Sequence, residues 1–334
     1  MARASSDMDL NGRIAALLRD FAAVQKSKQS MWGYKRAASA ILALEKPIAS
    51  LLQPDGTLTK IPNVGPSSTR VIVEVLQSGT SATVERAIAD SDRTSHIDRR
   101  RDLHGHFLSR AQVVAALKDR KLTGPRLEDY HGDLQMHSTW SDGSQTLADI
   151  VEGGLARGYT FCAVTDHSYG LKIASGVSMA DLLVQHREID ALNRKYRGRF
   201  RLIKGIEANI RADGSVDMER AELRLLELVV AAPHSALRST ADQTARMVNA
   251  VKAPGVHILG HPRGRKYGSR PGVTADWDQV FTAARIANVA IEIDGDPSRQ
   301  DVDYELAAQA AAAGCLLALD SDAHSTPELQ YAET

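Results

Sequence analysis

What this 334-residue chain lacks excludes several classes of protein. Its only two cysteines, Cys162 and Cys315, both lie inside apolar runs, so we expect buried core thiols and no disulfide framework. No apolar stretch approaches the ~18 residues needed to span a bilayer. The N-terminus has no basic start followed by an apolar run, as a signal peptide would have. These absences predict a cytoplasmic protein that does not contact membranes.

Two common catalytic signatures are also missing. The chain has no Gly-x-Ser-x-Gly nucleophile elbow and no Gly-x-x-x-x-Gly-Lys-Ser/Thr phosphate loop. The net charge is zero, but residues 1–130 carry 20 Lys and Arg against 14 Asp and Glu, whereas residues 131–334 carry 21 against 27. A basic N-terminal part joined to an acidic C-terminal part is typical of a module that contacts a polyanion, followed by a carboxylate-rich metal site. A chance imbalance is an equally good explanation.

Short apolar runs bounded by polar residues recur from Asp133 onward, as is typical of buried parallel strands. Strands are predicted near residues 133–137, 160–166, 201–207, 227–233, 257–261, 289–293 and 315–320. Helices are predicted between them at about 145–157, 179–196, 239–251, 276–287 and 301–313. Strands that alternate with helices favour parallel βαβ units. We therefore expect a compact α/β barrel.

Histidine and acidic residues directly follow these predicted strands. The C-terminal ends of barrel strands converge on one face, so we expect a site that binds several metal ions. The candidate ligands at strand ends are His137, Asp166, His167, Glu207, His234, His261, Asp322 and His324. A single strand-end histidine is more often structural, but so many sites in the same register argue against coincidence. Imidazole and carboxylate together suit Zn²⁺, Mn²⁺ or Fe²⁺ better than Mg²⁺ or Ca²⁺.

The other histidines are assigned ordinary roles. His186 on a polar helix and His257 at the start of a strand are expected to be surface or packing residues. The same is expected of His96, His104 and His106, for which a second metal site is the alternative.

The front of the chain is predicted to be helical. Residues 10–52 contain apolar positions at helical spacing, with a second amphipathic stretch from 37 to 52, and Asp7-Met-Asp9 is typical of a helix-start cap. We predict an all-α domain over 1–90, a basic linker over 91–130 with a short helix capped by Ser109, and the barrel over 131–334. The chain stops ten residues after His324, which indicates either a trimmed chain or a bare final strand.

Six motifs in order resemble the polymerase and histidinol phosphatase (PHP) family of metal-dependent phosphoesterases. They are Asp133–Gly143, Thr165–His167, Gly205–Glu207, His234, Gly260–Pro262 and Ser321–His324. The resemblance covers residues 131–334 and implies a distorted (βα)7 barrel with two to three divalent metal ions. It implies three ligand sets, namely His137, Glu207 and Asp322, then Glu207, His234 and His261, then Asp142, His167 and His324. Gln135 replaces a histidine ligand found in many members, which predicts a weak first metal site.

The Asp-Leu-Gln-Met-His motif is similar to the version in the C-terminal domain of bacterial family-X DNA polymerases. That domain is associated with 3′-end processing and 3′–5′ exonuclease activity. Residues 10–88 resemble the N-terminal DNA-binding domain of the same polymerases, with a helix-hairpin-helix at Ile61–Leu76. About 40 residues separate this domain from Asp133, too few for a polymerase palm and thumb.

The hairpin is expected to contact DNA phosphates through backbone N–H groups at the start of its second helix. The candidate residues are Val64, Gly65, Ser67 and Ser68. Asn63 replaces the usual first glycine, which is tolerable because asparagine enters left-handed conformations. Val71 stands where lyase members carry a lysine, so no lyase activity is expected. A helix pair used only for packing or partner contact is the alternative.

The implied activity is hydrolysis of phosphate esters on DNA 3′ ends, as a 3′–5′ exonuclease or a 3′-phosphatase. Glu207, His234, Asp322 and Arg263 are the expected catalytic residues, and metals would activate a shared water. Arg263, Arg265, Lys266 and Arg270 are expected to line the rim for a phosphate, or else to form a solvated loop. Asp166 and Asp320 would orient histidine ligands or bind metal directly. The alternatives are a small-molecule phosphatase, such as one for histidinol phosphate, and a non-catalytic DNA-binding protein with a structural metal site.

Overall fold

The computed structural model describes residues 9–333, without the side chains of His96, Arg99 and Arg100. The chain divides into two compact units. One runs up to Gly124 and includes Tyr267–Ser269, and the other comprises Pro125–Lys266 and the segment from Arg270 onward. Among the described residues, none of the helices combines the length and apolar character that crossing a bilayer requires.

The first unit is helical. Its helices are α1 (Leu10–Ala23), α2 (Lys28–Leu42), α3 (Pro66–Ser78), α4 (Ala82–Ala89), α5 (Thr94–Arg101) and α6 (Arg110–Lys118). Ile14, Leu18, Ile41 and Ile72 lie in its fully buried apolar core. The predicted helical region 10–52 is interrupted twice. The Ser27 side chain accepts a hydrogen bond from the N–H of Ser30 and so starts a new helix. After Pro47 the chain forms a short 3-10 helix and not an α-helix.

Two caps agree with the sequence. Asp9 accepts a hydrogen bond from the N–H of Gly12 at the start of α1, 2.9 Å away, while Asp7 lies outside the described residues. Ser109 caps α6 by accepting from the N–H of Gln112. The charged stretch interpreted as linker contains α5, because Ile97 is fully buried in the core of this unit.

The second unit is a barrel of seven parallel strands that are neighbours in chain order. They are β1 (Gly132–Asp133), β2 (Phe161–Val164), β3 (Arg201–Asn209), β4 (Leu228–Ala232), β5 (Ile258–Leu259), β6 (Ala290–Asp294) and β7 (Leu317–Asp320). The intervening helices are α7 (Leu147–Ala156), α8 (Met179–Lys195), α9 (Arg220–Leu223), α10 (Thr244–Lys252), α11 (Trp277–Ala287) and α12 (Tyr304–Ala312). The predicted α/β barrel preceded by a helix-hairpin-helix region is confirmed, and the short α9 of the barrel was not expected.

The barrel closes through hydrogen bonds from backbone N–H groups just beyond β1 to β7 and the residues after it. The N–H of His137 donates to the carbonyl of Ala323 over 2.9 Å, and the N–H of Leu134 donates to the carboxylate of Asp320 over 2.8 Å. These bonds join the first and last strands, and they bring His137 beside the segment that carries Asp322. The C-terminal ends of all seven strands therefore face one shared opening.

The final strand is covered by a 3-10 helix, Thr326–Glu333, instead of an α-helix. Leu329 of this helix is fully buried and packs close to Gly153, where a Cβ atom would lie 2.9 Å from the leucine side chain. The outward side chains Leu317 and Leu319 stay exposed.

Candidate metal centre

The Glu207 carboxylate on β3 is the centre of the site. It is 1% exposed. Oε1 lies 3.0 Å from Nε2 of His261 and 3.1 Å from Nε2 of His234. Oε2 lies 3.1 Å from Nε2 of His137 and 3.2 Å from Nδ1 of His167. One buried carboxylate thus contacts four imidazoles that follow four different strands.

Two further carboxylates, those of Asp322 and Asp142, extend the cluster. Asp322 Oδ1 lies 3.0 Å from Nε2 of His137. Asp142 Oδ1 lies 3.5 Å from Nε2 of both His167 and His324. The rings of His137 and His324 stack with centroids 4.2 Å apart. All eight residues of the three ligand sets implied by the resemblance are therefore brought into one cluster.

Three overlapping groups have ligand atoms within 4.8 Å of one another. They are His137, Asp142, His167 and His324, then His167, Glu207 and His234, then His137, Glu207 and Asp322. The third group contains the same three residues as the first ligand set that the resemblance implies. In the second group His167 stands where His261 was expected, although His261 contacts the same carboxylate oxygen as His234.

The residues fit a cluster of divalent cations. The Nδ1 atoms of His137, His167 and His261 and Oε2 of Glu207 are buried without a hydrogen bond. Burying polar atoms without partners is costly, and imidazole with carboxylate is the donor set of Zn²⁺, Mn²⁺ or Fe²⁺. Asp322 also has a left-handed backbone, with φ 51°, and such strained residues concentrate at functional sites.

Burial and charge within the cluster shift the pKa values of its ligands. Burial lowers the pKa of His167 to about 4, which keeps this imidazole neutral. Burial would raise the pKa of Glu207, but His167 and His234 hold it well below its usual value. Burial would lower the pKa of His137, yet its close contacts with the Asp322 and Glu207 carboxylates raise it well above the usual range. A proton at His137 and a divalent cation are thus alternatives for balancing the two carboxylates.

Asn209 supports the cluster and was not identified from the sequence. Its Oδ1 lies 3.2 Å from Nδ1 of His234, and a partner on the second ring nitrogen fixes the orientation and tautomer of a ligand histidine. Asn209 lies two residues after Glu207 on β3. Because strand side chains alternate, that spacing of two was a signal that could have identified it.

Asp166 and Asp320 do not orient histidines, so that expectation is wrong. Asp166 accepts hydrogen bonds from Ser138 N (2.7 Å), Ser138 Oγ (2.6 Å) and Gln185 Nε2 (2.6 Å). It therefore holds the loop that carries Asp142. Asp320 accepts from the N–H of Leu134 and helps to close the barrel.

Gln135 lies inside the barrel, fully buried, beside the cluster. Its Nε2 is 3.5 Å from Oδ1 of Asp322, and its Oε1 has no hydrogen-bond partner. The side chain that replaces an expected histidine therefore presents only a neutral amide to Asp322.

The histidines assigned to ordinary roles lie outside the cluster. His257 Nδ1 accepts from the N–H of Val229, and His186 lies on α8. His104 stacks against Tyr267 within the first unit, and the side chain of His96 is outside the described residues. Within residues 9–333, every group of three or more candidate metal ligands belongs to the barrel.

The basic residues after His261 differ from expectation. Asp303 Oδ2 binds the guanidinium groups of both Arg263 (2.9 Å) and Arg265 (3.0 Å). Arg265 is 3% exposed, so its expected place at the solvated rim is wrong. Arg263 also donates to the carbonyl of Pro271 and stays partly exposed.

Arg299 is a further residue that sequence reasoning missed. Its Nη2 lies 3.0 Å from Oδ2 of Asp322, and its Nε lies 3.5 Å from Oδ2 of Asp294. Burial lowers the pKa of Arg270, and the nearby positive charges of Arg299 and Arg238 lower it further. Arg299 is thus the guanidinium group that contacts the cluster, through Asp322. The sequence feature that could have identified Arg299 was its position in the loop after β6.

The hairpin of the first unit has the geometry expected of its turn. Asn63 has φ 64°, which confirms that asparagine takes the left-handed position. α3 begins at Pro66 after Gly65, so Ser67 and Ser68 occupy early positions whose N–H groups have no partner within the helix. The N–H of Val64 donates a hydrogen bond to the carbonyl of Ile61 within the turn. The Ser68 side chain is buried, which leaves only its backbone for a ligand.

Comparison with known proteins agrees with both parts of the predicted resemblance. A family model described as a helix-hairpin-helix domain matches residues 9–81. The DNA polymerase/3′-5′ exonuclease PolX of Bacillus subtilis is 37% identical over 204 residues, which cover 61% of this chain and 36% of the relative. The chain thus spans about a third of the length of this relative.

Phosphatases are also among the similar proteins. A probable phosphatase of Caldicellulosiruptor saccharolyticus is 28% identical over 190 residues, covering 54% of this chain and 73% of the relative. A solved histidinol phosphate phosphatase of Lactococcus lactis, complexed with zinc, L-histidinol and phosphate, has a TM-score of 0.45 and 13% identity over 60% of this chain and 90% of that one.

The helix-hairpin-helix match and the PolX relative confirm the resemblance expected from the sequence, and together with the probable phosphatase they support the predicted class, a metal-dependent hydrolase. The cytoplasmic location stays a prediction. The chain contains a helix-hairpin-helix domain and is similar over 61% of its length to a bacterial family-X polymerase with 3′–5′ exonuclease activity.

Proposed function

We propose that this protein is a metal-dependent phosphoesterase that hydrolyses phosphate esters at the 3′ ends of DNA. The observation that carries the proposal is the buried Glu207 carboxylate, which contacts four imidazoles at 3.0–3.2 Å. Structural histidines rarely surround one carboxylate in this way, whereas clustered divalent cations require such a donor set.

The residues of the cluster have separable roles. His137, Asp142, His167, Glu207, His234, His261, Asp322 and His324 would hold two to three ions. Bound cations would lower the pKa of a shared water and stabilise the entering and leaving phosphate oxygens. His234 has a side chain that is 20% exposed, the most open of the four imidazoles on Glu207, so a substrate enters on its side. The guanidinium group of Arg299, 3.0 Å from Asp322, supplies positive charge for a phosphate.

DNA is proposed as the substrate because of the first unit. Free N–H groups at the start of α3 can bind a backbone phosphate without reading the bases. The similarity to the Bacillus subtilis DNA polymerase/3′-5′ exonuclease PolX supports the same choice. A hairpin that binds any DNA end would deliver a strand to a hydrolytic barrel.

A small-molecule phosphatase is the second candidate. It is favoured by the similarity to probable phosphatases. The match covers 73% of the length of the Caldicellulosiruptor protein. It predicts that DNA affinity is absent and that a small phosphate monoester is the better substrate.

One experiment tests both candidates. The protein is incubated with 3′-recessed DNA, 3′-phosphorylated DNA and histidinol phosphate in Mn²⁺, Zn²⁺ or Mg²⁺. We expect hydrolysis of one or both DNA substrates in Mn²⁺ or Zn²⁺, with a loss of at least about 100-fold for His234→Ala. His131→Ala, which changes an exposed histidine outside the cluster, serves as the matched control.

Other outcomes contradict the proposal. Preferential hydrolysis of histidinol phosphate supports the small-molecule phosphatase. DNA binding without hydrolysis in any of the metals supports a non-catalytic DNA-binding protein. Cleavage that survives His234→Ala unchanged refutes the site itself.

A further inference from the structure

Arg246 on α10 is a buried cation that has no acidic partner among its hydrogen bonds. The residue is 6% exposed, and burial lowers its pKa. Its guanidinium group makes five hydrogen bonds, all to neutral acceptors, namely the carbonyls of Ile210, Arg211 and Ser235, the Ser235 hydroxyl and the Gln243 amide oxygen. A buried charge without a counterion is costly, which indicates that arginine is present for its five donors.

These hydrogen bonds join two strand ends at the metal cluster. Arg246 Nη2 donates to the carbonyl of Ile210 over 2.6 Å, and Ile210 directly follows Asn209 at the end of β3. Nη1 donates to the carbonyl of Ser235 over 3.0 Å, and Ser235 directly follows His234 in the loop after β4. One guanidinium group therefore holds the neighbours of Asn209 and His234, whose Oδ1 and Nδ1 atoms lie 3.2 Å apart.

The loop that carries His234 is held mainly from α10. His234 lies beyond the last residue of β4, so the strand pairing of β4 does not include it. Ala236 has a left-handed backbone, with φ 58°, a conformation that L residues with a side chain rarely adopt. Gln243 Nε2 donates to the carbonyl of Ala236 over 3.2 Å, and Arg246 binds both the carbonyl and the hydroxyl of Ser235. The orientation of the loop thus depends on these side chains.

We propose that Arg246 is a positioning residue that sets the metal affinity of His234 by fixing its distance from Asn209. The inference rests on the metal centre of the proposed function and identifies how one of its ligands is held. A partner on the second ring nitrogen fixes the orientation of a ligand histidine, so a shift between the two strand ends would turn Nε2 of His234 away from Glu207. Lysine cannot substitute, because its single nitrogen offers three donors, whereas the guanidinium group offers five in a planar fork.

The test measures Co²⁺ binding to the metal-free protein by visible absorption, for wild type and for Arg246→Lys. The binding step that His234→Ala removes identifies the ion held by His234. We expect Arg246→Lys to weaken that step by about 10–100-fold and to leave the other steps unchanged. Arg285→Lys, at an exposed position on α11, is the matched control and should bind Co²⁺ like wild type.

A double-mutant cycle separates positioning from a general effect on stability. If Arg246 acts through the pair of Asn209 and His234, its substitution costs little further affinity once Asn209 is alanine. We therefore expect Asn209→Ala and the double variant with Arg246→Lys to bind this ion equally, within about twofold. Ser235→Ala removes one of the five hydrogen bonds and keeps the arginine; it should weaken the same step by a smaller factor, which keeps the inference testable if Arg246→Lys does not fold.

The possible failures are distinguishable. Unchanged Co²⁺ affinity in Arg246→Lys, or in Ser235→Ala where the lysine variant does not fold, overturns the positioning role alone. Fully additive losses in the cycle, or an equal weakening of every binding step, show that the arginine stabilises the barrel as a whole and also overturn that role. If wild type binds no divalent cation, the proposed function fails and the inference fails with it.

Discussion

Asn209 and His234 illustrate how single residues determine the chemistry of this site. The asparagine was not recognisable as functional by type, because amides are common at the surface. Its spacing of two from Glu207 places it on the same strand face. Its pairing with His234, at 3.2 Å, depends on the neighbouring strand.

Asn209→Ala should weaken hydrolysis without unfolding the barrel. Loss of the partner on Nδ1 frees the ring of His234, and such losses typically cost about 10–100-fold in activity or metal affinity. Steady-state kinetics and metal titration measure both quantities. Asn209→Asp keeps an acceptor and should retain most activity, so an equal loss in both variants would contradict the orienting role.

Glu207→Gln should remove bound metal. A neutral amide replaces the carboxylate that contacts four imidazoles, and amides are poor ligands for Zn²⁺ or Mn²⁺. We expect at least one fewer ion per chain by elemental analysis and an activity loss of about 100-fold or more. Glu128→Gln, at an exposed position, controls for the loss of one charge; unchanged metal content in Glu207→Gln would exclude the proposed centre.

Asp133 offers a test by pH. Burial raises the pKa of this carboxyl to about 6, above its unfolded value of about 4. The folded state therefore prefers the protonated form, and stability is lost as the pH rises from about 4 to 6. Asn keeps the Oδ1 acceptor for the N–H groups of Gln135 and Ser321.

We expect Asp133→Asn to raise the free energy of unfolding by on the order of 2 kcal/mol at pH 8 and to change it little at pH 4. Urea denaturation at the two pH values measures the difference. The same effect at both pH values would show that charge burial is not its cause.

At the scale of elements, Gly65 of the hairpin is a position where the requirements of folding and of DNA binding differ. Gly65 has an extended backbone, with φ −86°, and a Cβ atom there would meet nothing within 4 Å. The fold therefore does not require glycine at this position. Close approach of a DNA phosphate to the start of α3 does require it.

Gly65→Leu should consequently weaken DNA binding while leaving the thermal unfolding midpoint nearly unchanged. We expect the same weakening for unrelated DNA sequences and a salt dependence reduced by about one phosphate contact. Fluorescence anisotropy across salt concentrations measures both. Gly33→Leu on α2, where a Cβ also has open space, is the matched control; equal binding by all three proteins would rule out the hairpin contact.

Element prediction succeeded where periodicity was strong and failed where packing decided. The alternating strands and helices of the barrel were predictable because each strand is a short apolar run. The charged α5 was interpreted as linker, yet Ile97 anchors it in the core and Arg101 pairs with Asp20 at 3.2 Å. Such long-range contacts override local composition.

At the scale of the whole molecule, each of the two units has its own apolar core. All candidate ligand groups in the described chain belong to the barrel. A ligand stabilises only the part of a protein that binds it, so metal should act on one unit.

Chelation should therefore lower the unfolding temperature of the barrel and leave that of the helical unit unchanged. Scanning calorimetry of metal-loaded and EDTA-treated protein measures the two transitions, and adding Zn²⁺ or Mn²⁺ back should restore the first. A single transition that shifts as a whole would show that the units unfold together.

The ligand types, their order along the chain and the alternation of strands and helices were determined by the sequence itself, because motifs and periodicity are local properties. Only the tertiary structure decided that Asn209 and Arg299 join the site, that Arg265 turns inward to Asp303, and that Arg246 joins the chain ends of two strands. Each of these outcomes depends on which distant groups the closed barrel brings together, and such distances are not encoded in neighbouring residues.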